Sequence, residues 1–204
     1  MCLSHETWSL TRIHFHIQSS AEMIKSIFHT ATAPHPDRMV HWNNENFSCN
    51  VLNVDGSCLG TPTRAEYGGI VRNSAGLYFS GYIAATSGIL FTELTAIHRG
   101  LLLAIESEIE VLVCYSDSLL STKLVTDHVS NYHAYAVLIQ DIKDILSSRN
   151  FSIHHCLREG NQCADFLAKL RTTSNEEFFT HVSPPSDLLP LIKNDAMGIF
   201  FPRA

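Results

Sequence analysis

Four acidic residues in this 204-residue chain stand where the surrounding pattern favours apolar or neutral side chains. Asp55 ends the apolar-leaning run "SCNVLNVD", Asp117 follows "VLVCYS", and two more acids lie in segments with helical spacing, Glu93 and Asp165. Each has an ordinary structural explanation. Asp55 suits a turn, and Asp117 can cap the helix that follows it. Glu93 favours a helix N-terminus, and Asp165 can face solvent. An unpaired charge in a buried strand is nevertheless costly, so a functional reason has to be considered.

Taken together, the four carboxylates predict a metal site. In a mixed sheet the first and fourth strands can lie side by side, and sites form at the carboxyl ends of such strands. Asp55 and Asp117 would then be close, and two helices would bring Glu93 and Asp165 from either side. Clustered carboxylates repel one another unless cations neutralise them. Mg²⁺ or Mn²⁺, hard ions that prefer oxygen ligands, are the natural choice, and two such ions would balance the four charges.

The order of elements predicts an α/β fold. The apolar pattern alternates or runs continuously in five strand candidates, and it has helical spacing in four segments. The strands are expected at 48–55, 66–73, 77–85, 110–118 and 151–157, and the helices at 92–105, 118–127, 134–148 and 161–170. This order, βββαβααβα, predicts a mixed sheet with helices packed on it.

The remaining sequence bounds the domain and its surroundings. Residues 1–45, with helical spacing at 21–31, form an expected N-terminal extension, the compact domain covers 48–172, and 173–204 form a C-terminal extension. No apolar run is long enough for a membrane span. The six cysteines include no C-x-x-C pair, which indicates reduced thiols in an intracellular compartment. The sequence leaves the oligomeric state open, with a monomer as the simplest expectation.

The four motifs that carry the acids, "NVDGS", "FTELTAI", "CYSDS" and "HHCLREGNQCADFLAK", resemble the type-1 ribonuclease H domain. The similarity is closest to the reverse-transcriptase-like domains abundant in plants, many of them related to retroelements. It implies a ribonuclease H-like fold, a five-stranded mixed sheet flanked by helices. It also implies that Asp55, Glu93, Asp117 and Asp165 form a metal-binding catalytic quartet. His155, ten residues before the last aspartate, would assist proton transfer or product release.

The resemblance implies hydrolysis of the RNA strand of an RNA–DNA hybrid. One metal ion would activate a water for in-line attack, and a second would stabilise the leaving 3′ oxygen. Such hybrids are recognised by backbone shape and the 2′-OH. The backbone groups of Gly56, Ser57 and Cys58, just past the first aspartate, are candidates for the 2′-OH contacts.

The sequence departs from the family in its charge. The formal net charge is −6, and residues 50–170 hold eight basic and twelve acidic side chains, which argues mildly against a nucleic-acid partner. The segment before the helix glutamate, "SGILF", is apolar, and "DHVSNYHA" (127–134) contains no lysine or arginine, so a basic substrate-binding protrusion is missing.

Three functions therefore stay open. The first is an active metal-dependent ribonuclease H with weak or partner-assisted substrate binding. The second is a non-catalytic nucleic-acid or protein interaction module of retroelement origin, which the acidic surface favours. The third is a nuclease of the same broad fold that acts on DNA alone. The intact quartet with His155 favours the first, and the "REGNQCAD" context counts against the third.

Overall fold

The structure, a computed structural model, describes residues 39–42, 49–59, 64–73, 76–86, 88–170 and 178–203. Its strands are β1 Met39–Val40, β2 Asn50–Leu59, β3 Arg64–Arg72, β4 Tyr78–Thr86, β5 Val111–Ser116, β6 Asn150–His155, β7 Phe178–His181 and β8 Phe201–Pro202. Its helices are α1 Ile89–Glu106, α2 Leu119–Thr126, α3 Ala136–Ser148, α4 Gln162–Lys169 and α5 Leu189–Ala196, with single 3₁₀ turns at Arg158–Gly160 and Ser186–Leu188. The helix predicted at 21–31 lies outside the described residues.

The main sheet has the order β6-β5-β2-β3-β4-β7. Strands β2, β3 and β4 form an antiparallel meander, and β5 and β6 continue the sheet in parallel from β2. The predicted α/β fold with a mixed sheet is therefore confirmed. The sheet has six strands rather than five, because β7 pairs antiparallel with β4 between Gly81 and Ala84. That pairing covers backbone groups that would otherwise lie open at the sheet edge.

The two faces of β2 contact different layers, because successive side chains of a strand point to opposite sides. Leu52 and Val54 belong to the larger apolar core, together with Leu94 and Ile97 of α1. Asn53 lies on the other face, where its side-chain amide donates to Asn161, the residue before α4, at 3.0 Å. Asp55 has the same phase as Asn53, so β2 carries it on the face that packs against α4.

Helix α4 lies directly on β3. A Cβ atom added to Gly68 would stand 2.7 Å from the backbone nitrogen of Ala168 and from the carbonyl carbon of Leu167. Only a residue without a side chain permits this approach, since real Cβ contacts essentially never fall below 3.0 Å. The glycine therefore sets the distance between the sheet and the helix that carries Asp165.

A buried polar network joins α5 to the sheet. Arg72 at the end of β3 forms an ion pair of 2.6 Å with Asp195 of α5, and both side chains are almost fully buried. The other guanidinium nitrogen donates to Asn53 at 2.7 Å, and the guanidinium lies 3.9 Å from the ring centroid of Trp42. The thiol of Cys163 contacts the same Asp195 oxygen at 3.2 Å. Residues 178–203 contribute two strands, β7 and β8, and helix α5 to the same compact unit as the rest of the described residues. The domain boundaries at 45, 48 and 172 stay predictions.

None of the five cysteines that the structure describes is part of a disulfide. Among the described helices, none is both long enough and apolar enough to cross a membrane.

Candidate active site and metal centre

Three of the four predicted acids converge at the carboxyl edge of two parallel strands. Strand β2 pairs with β5 so that Val54 lies opposite Ser116, and Asp55 and Asp117 are the residues that follow. Glu93 reaches the same point from α1. One carboxylate oxygen of each residue lies within 4.8 Å of the other two. The sequence prediction that Asp55 and Asp117 meet is confirmed by this geometry.

The ordinary explanations fail for three of the acids. Asp55 is not in a turn, because β2 continues to Leu59. The prediction that this strand ends at residue 55 is therefore wrong, and the strand is four residues longer at that end. The cap of α2 is Ser118, whose hydroxyl accepts from the backbone N–H of Ser121, so Asp117 does not cap the helix. Helix α1 begins at Ile89, so Glu93 lies beyond its first turn, where the dipole acts most strongly.

Gly56 explains how Glu93 approaches the strand. A Cβ atom at this position would lie 3.0 Å from the backbone nitrogen of Glu93 and 3.1 Å from its carboxyl carbon. The backbone N–H of Gly56 donates to the Glu93 carboxylate, which lowers the pKa of that group against the stronger opposing effects. A glycine directly after Asp55 therefore lets the helix and the strand bring two carboxylates together. The expected contact of Gly56 with a 2′-OH stays a prediction.

Burial and mutual repulsion raise the pKa values of two of these acids. For Asp55 the main cause is loss of hydration, and the charges of Asp117 and Glu93 add to it, so its pKa lies well above the usual range. Loss of hydration and the charge of Asp117 raise the pKa of Glu93 to about 8. Without a cation, both groups hold their protons at neutral pH. A divalent cation that replaces those protons would relieve the repulsion.

The donor atoms fit a hard divalent cation. All three ligand candidates are carboxylates, which Mg²⁺ and Mn²⁺ prefer. The Oε2 atom of Glu93 is buried and has no hydrogen-bond partner among the described residues, although buried carboxylate oxygens normally have one. A cation held by Asp55, Glu93 and Asp117 would supply the missing partner.

Asp165, the fourth predicted acid, lies beside this group and is held by two basic side chains. Its Oδ1 accepts from Arg158 at 2.9 Å, and its Oδ2 accepts from Lys169 at 2.6 Å. Its charge still contributes to the raised pKa of Asp55, so the two carboxylates are near one another. Sequence reasoning missed both partners. The spacing of Asp165 and Lys169, four residues apart on one helix, could have predicted their ion pair. Arg158 lies in a different element, the 3₁₀ turn, so no helical spacing connects it to Asp165.

The other predicted site residues surround the acids. His155 ends β6, is exposed and lies opposite Ser116, the residue before Asp117. Ser57 and Cys58 follow Asp55 along β2, where they pair with Glu66 and Ala65 of β3. At the start of α1, in the apolar segment ahead of Glu93, Ile89 is about half exposed, whereas Leu90 packs against the larger apolar core.

Comparisons with known proteins agree with this fold. The family described as reverse transcriptase-like matches residues 53–171, more than half of the chain. A protein of Arabidopsis thaliana, provisionally named a ribonuclease H protein, is 26% identical over an alignment of 176 residues, and the match covers 84% of this chain and 28% of that protein. The chain therefore spans little more than a quarter of this relative's length.

Solved structures share the architecture. RNase H1 of the archaeon Halobacterium salinarum matches with a TM-score of 0.54 at 22% identity, over 58% of this chain and 93% of the other. LC11-RNase H1, isolated from compost, matches in its complex with an RNA/DNA hybrid with a TM-score of 0.51 at 20% identity, over 58% and 92%. Identities this low establish the fold alone. The resemblance drawn from the four motifs is confirmed at the level of family and fold.

Proposed function

The chain belongs to the reverse transcriptase-like family. We propose that it is a divalent-cation-dependent ribonuclease that hydrolyses the RNA strand of RNA–DNA hybrids. One observation carries the proposal: the convergence of Asp55, Glu93 and Asp117 within 4.8 Å at the edge of a ribonuclease H fold. Bringing three carboxyl groups together, two of them buried, is costly for folding, because the buried ones must either carry a poorly hydrated charge or hold a proton. A purely structural or adaptor domain has no use for them, whereas a phosphodiesterase that works through cations requires them.

Each carboxylate has a distinct position in this proposal. Asp55, just past the last residue pair between β2 and β5, and Asp117, just past the end of β5, would hold the cations, and Glu93 would add its unpaired Oε2 from α1. Asp165 would complete the set from α4 once its basic partners release an oxygen. Two ions, Mg²⁺ or Mn²⁺, would supply an activated water and stabilise the leaving 3′ oxygen when bound.

His155 would move protons at the edge of this group. Its imidazole is exposed and lies beside the strand end that leads to Asp117, so it is open to water and to a bound nucleotide. An imidazole is suited to take up a proton or to aid the release of a product. Replacement by alanine should lower the turnover and leave the binding of cations intact.

The substrate proposal draws on the relatives and on the strand geometry. LC11-RNase H1 is known in complex with an RNA/DNA hybrid, which supports a nucleic-acid partner for this chain. Past Asp55, β2 continues through Gly56, Ser57 and Cys58, and backbone groups there could contact the 2′-OH of the RNA strand next to the carboxylates. Such contacts read the hybrid by shape and are independent of base sequence.

Strand-specific cleavage tests the proposal. Hybrids labelled on the RNA or on the DNA strand are incubated with the protein in Mg²⁺ and in Mn²⁺. We expect cleavage of the RNA strand only, lost in Asp117→Asn and kept in Asp144→Asn, which changes an exposed aspartate of α3 in the same way. Intact RNA with both ions would contradict the proposal, and cleavage of duplex DNA would favour the DNA nuclease.

A second candidate, a non-catalytic interaction module, has one observation in its favour. Both oxygens of Asp165 are occupied by Arg158 and Lys169, so this carboxylate is not free to bind a cation while the ion pairs persist. A melting temperature that rises in Mg²⁺ without any cleavage of a hybrid would support this candidate.

A further inference from the structure

Arg158 lies beside the carboxylates, and its side chain faces solvent. It begins the 3₁₀ turn between β6 and α4, which is closed by hydrogen bonds from Gly160 to Leu157 (2.9 Å) and from Asn161 to Arg158 (2.9 Å). One guanidinium nitrogen lies 2.9 Å from Asp165, and the side chain is 69% exposed. The backbone is thus anchored, and the charged end is open to a ligand.

The guanidinium interacts with the whole acidic group as well as with its direct partner. Asp165 raises the pKa of Arg158 most, through a hydrogen bond and its charge, and the charges of Asp117 and Asp55 act in the same direction. In return, Arg158 opposes the rise in the pKa of Glu93. Arg158 therefore contacts Asp165 directly, its charge acts on the other acids, and its side chain faces solvent.

This position has a consequence for nucleic-acid binding. Cations bound to the carboxylates would neutralise the charge that holds Arg158 on Asp165. An exposed pair of this kind is weak, so exchange of partners costs little. A phosphodiester brought to the cations would place an anion beside the released guanidinium, which binds phosphate through two parallel hydrogen bonds. The scarcity of basic residues elsewhere, with none in 127–134, makes such a contact more important here.

We propose that Arg158 is a substrate-binding residue that leaves Asp165 and contacts a backbone phosphate of the strand bound at the carboxylates. This inference rests on the proposed function, because it requires a nucleic acid at the acidic site. It differs from a role as a fixed counter-ion, in which Arg158 only neutralises Asp165 and does not touch the substrate. The two roles predict different salt dependence of binding, since each phosphate contact releases counterions from the nucleic acid.

The test measures equilibrium binding of a fluorescent RNA–DNA hybrid by anisotropy in Ca²⁺, with the RNA checked by gel to be intact. Salt is varied between about 50 and 200 mM, which gives the slope of log K against log[salt]. We compare wild type, Arg158→Gln and Arg158→Lys. Arg149→Gln is the matched control, because Arg149 is an exposed arginine at the opposite end of β6 and its loss changes the net charge equally.

We expect Arg158→Gln to weaken hybrid binding several-fold and to reduce the magnitude of the slope by about 0.7–0.9, the value for one lost phosphate contact. Arg158→Lys should keep the slope, and Arg149→Gln should match the wild type. Wild-type affinity and slope in Arg158→Gln, with the wild-type protein still cleaving hybrids, would overturn this inference alone. If the wild-type protein neither binds nor cleaves hybrids, both the inference and the proposed function fail.

Discussion

Replacement of Glu93 by glutamine is expected to stabilise the cation-free protein and to remove its response to divalent cations. In the native protein the pKa of Glu93 is about 8, against a model-peptide value of 4.5. Between these two pKa values the unfolded chain loses the proton while the folded chain retains it. The stability that the Glu93 proton contributes is therefore fully present below pH 4.5 and is lost as the pH rises from 4.5 toward 8.

The magnitude follows from this interval. Each pH unit above 4.5 costs about 1.4 kcal/mol, so Glu93 lowers the free energy of unfolding by at most about 3–4 kcal/mol at pH 7. Glutamine carries no charge, can still accept the hydrogen bond from Gly56 and can donate to a neighbouring carboxylate. The gain should raise the melting temperature by roughly 6–12 °C in a domain of this size. Divalent cations should then add little, because a ligand has been lost.

Urea denaturation in EDTA at pH 5, 7 and 8 measures the effect, and a parallel series in Mg²⁺ measures the response to cations. Glu106→Gln is the control, since Glu106 is an exposed glutamate on the same helix, and its change should stay within about 0.5 kcal/mol. The difference between Glu93→Gln and the wild type should be small at pH 5 and largest at pH 8. A variant that is less stable than the wild type at pH 8, or a difference that does not grow with pH, would refute the reasoning.

Three further predictions address other parts of the structure. Asp195→Ala should lower the free energy of unfolding by about 3–5 kcal/mol in urea denaturation, because Arg72 would be buried without its partner; Asp144→Ala, on the surface, should cost far less. Gly56→Ala should weaken Mn²⁺ binding in calorimetry, because the new methyl group displaces Glu93; equal affinity would show that the close approach is not needed. Cation binding at pH 7 should release protons from Asp55 and Glu93, because both pKa values are raised. The binding enthalpy measured by calorimetry should therefore vary with the ionisation enthalpy of the buffer. The same enthalpy in all buffers would argue against the raised pKa values.

The local sequence pattern predicted the elements that position the site. The apolar-leaning run "SCNVLNVD" and the continuous apolar run before Asp117 located β2 and β5, and helical spacing located α1 and α4. Their order then brought Asp55 and Asp117 together, because parallel strands that lie side by side share their carboxyl edge. Predicting that Glu93 joins this site required one further assumption, that its helix crosses the same edge of the sheet.

Features set by contacts distant in sequence were not predictable in this way. Strand β7 has four residues, too few for a periodic signal, and forms because β4 offers it an open edge. The length of β2 past Asp55 depends on its pairing with β3 as far as Arg64. The ion pair between Arg158 and Asp165 depends on how the 3₁₀ turn packs, which no spacing rule describes.

The buried network around Arg72 is the clearest omission. In the sequence, Arg72 ends a strand next to a turn, a position that usually faces solvent. Its partners Trp42 and Asp195 come from opposite ends of the described chain, so no local pattern connects them. A nearly fully buried arginine becomes tolerable only through those partners.

The measurement that tests the central claim most directly is calorimetric titration of Mn²⁺ into the wild-type protein and Asp117→Asn, with Asp144→Asn as the control. If Asp55, Glu93 and Asp117 hold a divalent cation, the wild type and the control should show the same saturable binding, and Asp117→Asn should bind at least about tenfold more weakly. Equal binding by Asp117→Asn and the wild type, or no saturable binding by any of the three, would contradict the claim.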